Sequence, residues 1–287
     1  MPAIAYVNGS YRRLAEASVS IQDRGFQFGD GIYEVLYVSR GQVVDGALHM
    51  ARLARSLAEI QLPNPVATAS LPLIIREVIR RNRVTTGLVY IQVTRGAARR
   101  DHPFPTPAPR PSLIITARPK PEPPTDIALW ATAAITLPDE RWARCDIKSI
   151  NLLPNVLAHQ AARQAGAYEA ILYDTAGDVT EGAASTVWAV TEDGILRTRA
   201  LDRHILPGCT RAALIEALQT HAIGFAESPI PLASLRRAKE IFLTGATSFV
   251  KPVVTLDDKP VGTGAPGPVA TALFALYMQH MRRSHPA

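Results

Sequence analysis

One lysine stands out by its surroundings. In Arg141-Trp142-Ala143-Arg144-Cys145-Asp146-Ile147-Lys148-Ser149-Ile150-Asn151-Leu152-Leu153-Pro154-Asn155, Lys148 lies in a mostly apolar or neutral run ahead of an Ala- and Leu-rich stretch. Loss of hydration disfavours the ammonium form of a lysine and favours a nucleophilic free amine, which a Schiff-base lysine needs. Beside Asp146, the same residue also reads as an ordinary surface lysine. Glu181, after Asp178-Val179-Thr180, reads in isolation as a loop acid. Arg99, Arg100 and His102 read in isolation as a charged loop ending at Pro103. Pro207-Gly208-Cys209-Thr210-Arg211 reads as a turn into a helix over 212–218, whose first amides could bind an anion with help from the Thr210 hydroxyl.

Elements of both kinds must hold these groups. Asn8-Gly9 between apolar residues signals a hairpin, with strand-like patches at 5–7 and 18–21. A second hairpin is expected from 33–38 and 42–44 around Ser39-Arg40-Gly41. Leu48, Leu53, Leu57 and Ile60 recur at helical spacing, and a further helix is expected over 71–81. Strands follow at 88–93 and 112–117, so the first domain, residues 1–117, reads as α+β. The proline-rich piece 118–125 is extended and semi-rigid, an interdomain linker. A second, larger domain over 126–287 carries helices at 154–165 and 269–283 and strands at 170–173, 186–190 and 240–243, giving a mixed α/β and α+β chain.

Composition excludes several classes. With 47% hydrophobic and 20% charged residues, the 287-residue chain has the balance of a soluble globular protein. No run spans a bilayer, and the first residues lack the basic and apolar regions of a signal peptide. Cys145 and Cys209 form neither a disulfide framework nor a metal site, so a cytoplasmic location is expected. The net charge of +6 is scattered rather than gathered into a stripe or tail, which argues against nucleic acid as a partner.

Four blocks add a resemblance. They are Asp23-Arg24-Gly25-Phe26-Gln27-Phe28-Gly29-Asp30-Gly31-Ile32-Tyr33-Glu34-Val35, the stretch 95–104, the lysine block, and Thr180-Glu181-Gly182-Ala183-Ala184-Ser185. In order and spacing the chain resembles the two-domain, fold-type IV aminotransferases that use pyridoxal 5'-phosphate, and among them most the D-amino acid aminotransferases. The resemblance implies that Lys148 anchors the cofactor and moves the substrate Cα proton. It implies that Glu181 faces the pyridine nitrogen, supported by His49 and Arg141. Arg52 matches the phosphate arginine, and Leu206 matches an apolar residue packed on the ring. Cys209 and Thr210 head the anion-binding helix, and Thr244-Gly245-Ala246-Thr247-Ser248 supplies the remaining amides. Gly245 and Ala246 stand where relatives often carry hydroxyls, so they would act through the backbone. Tyr33, Arg100 and His102 match the trap for the substrate carboxylate, with the Arg-x-His loop shared across a homodimer.

The activity this implies is transfer of an amino group from a D-amino acid such as D-alanine to a 2-oxo acid such as 2-oxoglutarate. An L-branched-chain aminotransferase is the nearest alternative, followed by an (R)-amine transaminase and an aminodeoxychorismate lyase. A non-catalytic protein binding a cofactor or anion in a basic pocket is the alternative from another class.

Overall fold

The computed structural model describes residues 3–221 and 223–283. They divide into two compact units, one of Met1–Glu122 with Ile147–Asn151 and one of Pro123–Asp146 with Leu152–Ala287. The five residues around Lys148, expected in the second domain, are therefore part of the first unit.

The first unit is built from β1 (Ile4–Val7), β2 (Ser10–Arg13), α1 (Arg24–Phe28), β3 (Gly31–Ser39), β4 (Gln42–Val43), α2 (Gly46–Glu59), α3 (Ser70–Asn82), β5 (Gly87–Thr94) and β6 (Ser112–Pro119). Its antiparallel sheet has the order β2-β1-β6-β5-β3-β4. The Asn8-Gly9 turn does make a hairpin, with φ of 48° and 99° at its two residues. Its second arm is Ser10–Arg13, not the expected 18–21. A two-residue turn sends the chain straight back in register, Val7 opposite Ser10, so the nearer segment occupies the edge of β1. Ile21 is left 78% exposed. Likewise Arg118 and Pro119, expected in the linker, extend β6 opposite Leu88 and Gly87.

The helix α2 lays Leu53 and Leu57 into a core with Leu36 and Ile91 of the sheet and Ile75 and Val78 of α3. Each such leucine contributes roughly 1.5–3 kcal/mol by its burial. Leu48, expected on the same face, lies about 140° around the helix from Leu53 at ~100° per residue and is 37% exposed. Within β3, Ile32, Glu34 and Leu36 share one face by the alternation of a strand, and Tyr33 points to the other.

The segment carrying Lys148 docks on the start of β3. Tyr33 N donates to Lys148 O at 2.9 Å and Ile150 N to Gly31 O at 3.1 Å, forming an antiparallel bridge that sets Ile32 opposite Ser149. Ile147 enters the apolar core of this unit, and Ser56 Oγ of α2 accepts from Lys148 N at 3.3 Å. These bonds explain why the segment belongs to the first unit.

The second unit comprises β7 (Thr132–Pro138), α4 (Leu153–Gln164), β8 (Glu169–Tyr173), β9 (Val179–Gly182), β10 (Thr186–Val190), β11 (Leu196–Thr198), α5 (Cys209–Thr220), β12 (Phe225–Glu227), α6 (Leu232–Leu235), β13 (Glu240–Gly245), β14 (Phe249–Leu256), β15 (Lys259–Pro260) and α7 (Pro268–Arg283). Its sheet follows the path β12-β11-β10-β13-β14-β7-β8-β9, with β15 on β14. The β7 pairings with β14 and β8 and the β11–β12 pairing are parallel; the others are antiparallel. Trp188 stacks on Phe242 across β10 and β13 with ring centroids 5.9 Å apart, and its Nε1 donates to Thr244 Oγ1 at 3.0 Å. Among the described residues no helix is long and apolar enough to cross a membrane.

Gly31 carries a steric constraint on the docking of Lys148. A Cβ there would lie 2.6 Å from Val93 O on β5, so the ladder would have to part beside the bridge. Gly31→Ala is expected to destabilise the chain by about 1–3 kcal/mol, the usual cost of overpacking, read as a lower midpoint in urea unfolding.

Candidate active site

The first unit contributes three groups of side chains. In one, the bridge sets Lys148 beside Tyr33, with Nζ 4.3 Å from the ring centroid. A cation over an aromatic face is attracted to it, so Tyr33 orients the amine. Tyr33 also packs against Tyr90, ring centroids 5.9 Å apart.

In another, a buried carboxylate joins α2 to β3. Glu34, wholly buried, accepts from Arg52 Nε at 2.8 Å through Oε1. Its Oε2 accepts from Arg52 Nη2 at 2.8 Å and meets His49 Nδ1 at 2.7 Å. His49 and Arg52, three residues apart, lie on one face of α2. Burial pushes the Glu34 carboxyl up, but hydrogen bonds and charge from Arg52, then His49, outweigh it and hold it at about 2.

The last group anchors the loop with Arg100 and His102. Buried Arg24 donates to the main-chain carbonyl of Asp101 through Nη1, and to that of His102 at 3.1 Å through Nη2. Its Nε donates to Asp30 Oδ2 at 2.8 Å, and Arg95 Nε reaches the same oxygen at 2.8 Å. Arg95 also lies 3.6 Å from the Phe104 ring centroid and bonds the carbonyls of Ile60 and Gln61. The Arg100 guanidinium sits 5.0 Å from the Phe28 ring centroid, and the His102 ring centroid is 5.5 Å from the same ring. Arg100 and His102 themselves are exposed, and within this unit no hydrogen bond or ring contact joins either one to Tyr33.

The second unit contributes a buried acid. One oxygen of Glu181 accepts from Arg141 Nη1 and the other from Leu206 N at 3.1 Å. Asp139 holds Arg141 from the far side through bonds of 2.9 Å to Nε and 2.7 Å to Nη2, and accepts from Thr180 Oγ1 at 2.6 Å. Burial works against the Arg141 charge, but Asp139 and Glu181 push its pKa further up, so the guanidinium is permanently charged. Cys145 sits close by, its thiol pushed up to about 12 chiefly by burial.

At the head of α5, the N-cap is Gly208 and no side chain caps the helix. The helix starts at Cys209, three residues before the sequence reading placed it. The first turn carries no acid, which suits an anion at its amides. Thr210, expected to turn its hydroxyl to that anion, is buried with Oγ1 3.5 Å from Tyr277 Oη. Gly245 and Ala246 lie half-buried where β13 turns into β14, and a Cβ on Gly245 would come no closer than 3.6 Å to Ala184 O. Its next neighbour is Ser248 Oγ at 3.9 Å, so the backbone at Gly245 is approached only at ordinary contact distance.

Sequence reasoning missed Glu34, Arg24, Asp30 and Asp139. Glu34 had a readable signal: a carboxylate between Ile32 and Leu36 on the apolar face of a strand must have a partner. For the others the near partners, Arg24 with Asp30 and Asp139 with Arg141, read as ordinary local charge pairs, and the second partners Arg95 and Thr180 lie 65 and 41 positions away.

Residues 31–256 match the family Amino-transferase class IV. The chain belongs to that family, and is therefore an aminotransferase dependent on pyridoxal 5'-phosphate. It is similar to the D-alanine aminotransferase of Staphylococcus haemolyticus, 39% identical over 93% of this chain and 94% of that one. It is similar also to the D-alanine aminotransferase of Listeria monocytogenes, 37% identical over 97% and 96%. In fold it resembles the branched-chain amino acid aminotransferase of Escherichia coli, at a TM-score of 0.85 and 24% identity over 98% of this chain and 95% of that one.

The donor set fits the cofactor. A buried carboxylate held by a permanent cation suits a protonated ring nitrogen, and the uncapped α5 amides suit a phosphate.

The low pKa of Glu34 has a consequence for acid stability. The unfolded chain binds the proton near the ordinary 4.5 and the folded chain only near 2, so stability rises with pH through that window. The contribution, on the order of 3 kcal/mol, is present above about pH 4.5 and lost as pH falls toward 2. In Glu34→Gln, acid titration of the unfolding free energy is expected to lose that slope; an unchanged slope contradicts the assignment.

Proposed function

We propose that the protein is a D-amino acid transaminase, moving the amino group of a D-amino acid such as D-alanine to a 2-oxo acid such as 2-oxoglutarate. The observation that carries this reading is the bridge-fixed placement of the Lys148 amine over Tyr33. The relatives named D-alanine aminotransferase, 37–39% identical, support the choice of substrate. The reaction runs in two halves. The D-amino acid leaves as its 2-oxo acid, and a second 2-oxo acid then takes up the amino group.

Pyridoxal 5'-phosphate, when bound, supplies the electron sink for this chemistry. The Lys148 Nζ would anchor it and, once released by the incoming amine, would take the Cα proton of the amino acid. Glu181 would hold the ring nitrogen, and the Arg141–Asp139 pair fixes the position of its carboxylate. Arg52 and the backbone amides of the α5 head and of Gly245 and Ala246 would hold the phosphate, and Leu206 would wall the ring.

Tyr33, Arg100 and His102 grip the substrate carboxylate and thereby decide which enantiomer turns its Cα–H toward Lys148. Because Arg100 and His102 do not meet Tyr33 within one chain, the trap is completed in a homodimer, by the loop of the other copy. A cytoplasmic setting supplies such substrates and suits the two thiols.

Mixing the holoenzyme with D-alanine alone is expected to bleach the cofactor's visible band, with no bleaching by L-alanine or L-leucine. Bleaching by L-leucine only moves the activity to the branched-chain class. Lys148→Ala removes anchor and base together and is expected to lower turnover by at least ~10⁴-fold, at the upper end of what one proton-transfer group supplies; near-native turnover contradicts the assignment. Arg100→Ala is expected to raise KM for D-alanine about tenfold or more while leaving an amine without a carboxylate unaffected, since one charge-assisted bond is lost. Equal losses on both substrates count against the carboxylate trap.

A further inference from the structure

Glu34 touches none of the groups assigned above to substrate, yet it is the most deeply buried acid of its unit near Lys148 and Tyr33. One carboxylate there receives Arg52 Nε, Arg52 Nη2 and His49 Nδ1, all within 2.8 Å. Two parallel bonds along one edge of a guanidinium fix its plane and, with it, the direction of its outer nitrogen. The third bond makes His49 Nδ1 the donor and fixes the orientation of its ring. Fully buried, this cluster is not averaged by solvent, so the geometry of all three side chains is held as one piece.

We infer that Glu34 is the positioning residue that aims the Arg52 guanidinium at the cofactor phosphate. This rests on the reading of Arg52 as a phosphate ligand. Glu34 acts only through Arg52 and His49 and does not meet the cofactor. Its length matters as much as its charge. Aspartate from the same point of β3 is shorter by about 1.5 Å, one C–C bond, and cannot span both Arg52 nitrogens while keeping His49. Glutamine offers one oxygen in place of two and turns an NH₂ donor toward a cation. Position 34 is also constrained by the strand: its neighbour Tyr33 faces the opposite side, toward Lys148, so one dipeptide serves both the amine and the phosphate arginine.

The test compares two cofactor forms rather than activity. Apoprotein is titrated with pyridoxal 5'-phosphate and, separately, with pyridoxal, which lacks the phosphate, following protein fluorescence. The readout is the ratio of the two dissociation constants, in which a general loss of structure cancels. Glu34→Gln is expected to lower the preference for the phosphorylated form about tenfold or more, the loss of one charge-assisted hydrogen bond. Glu34→Asp keeps the buried charge, and so a folded protein even where Glu34→Gln fails, and is expected to lower the ratio in the same direction. Arg52→Ala, run in parallel, separates the two claims. If Arg52→Ala lowers the ratio and Glu34→Asp leaves it at the wild-type value, the positioning role is overturned while Arg52 keeps its own. If Arg52→Ala leaves the ratio unchanged, both are overturned.

Discussion

Two main-chain hydrogen bonds, from Tyr33 to Lys148 and from Ile150 to Gly31, hold the reactive end of this protein in place. They graft five residues onto the start of β3 although more than a hundred positions separate the two in sequence. Without them Lys148 would belong to an irregular loop, and its amine would have no fixed relation to Tyr33. A backbone bridge does this better than side-chain contacts could, because it fixes register, and register decides which side chains face each other. The close fit of Gly31 under Val93 follows from the same need: the strand must lie flat where the lysine segment joins it.

Within each unit, charges are arranged in buried or nearly buried pairs of opposite sign. Glu34 is enclosed with Arg52 and His49, Asp30 is shared by Arg24 and Arg95, and Asp139 backs Arg141 against Glu181. Ion pairs of this kind contribute little net stability, since desolvation offsets most of the attraction, but removing one partner leaves a stranded charge. Their effect is to make the positions of several arginines insensitive to solvent and salt. An enzyme that must present guanidinium groups and carboxylates at set angles gains from that rigidity more than from added stability.

Much of this was readable from residue types, and the parts that were not share a cause. Helices α2, α3, α4 and α7 follow from apolar spacing, and the Asn8-Gly9 turn from the φ values such a pair permits. The second arm of that hairpin was misplaced because 18–21 carries the better alternation, while proximity to the turn decides the pairing. β14 went unrecognised because Pro252 lacks an amide and reads as a break, although the strand pairs on through it opposite Phe242. At the site, Lys148 stood out through its own neighbourhood and Glu181 and Arg141 through the resemblance, and the contact of Arg141 with Glu181 is present. Glu34 was passed over despite its place between Ile32 and Leu36, and Asp30 and Asp139 because Arg95 and Thr180 come near them only on folding.

The grip of Arg24 on its loop has an evolutionary side. It holds Asp101 and His102 by their carbonyl oxygens, atoms that every amino acid possesses. The loop's course is thus independent of which side chains it displays. Residues there can be exchanged one at a time, each new side chain appearing at an address already fixed, without rebuilding the frame that holds the loop.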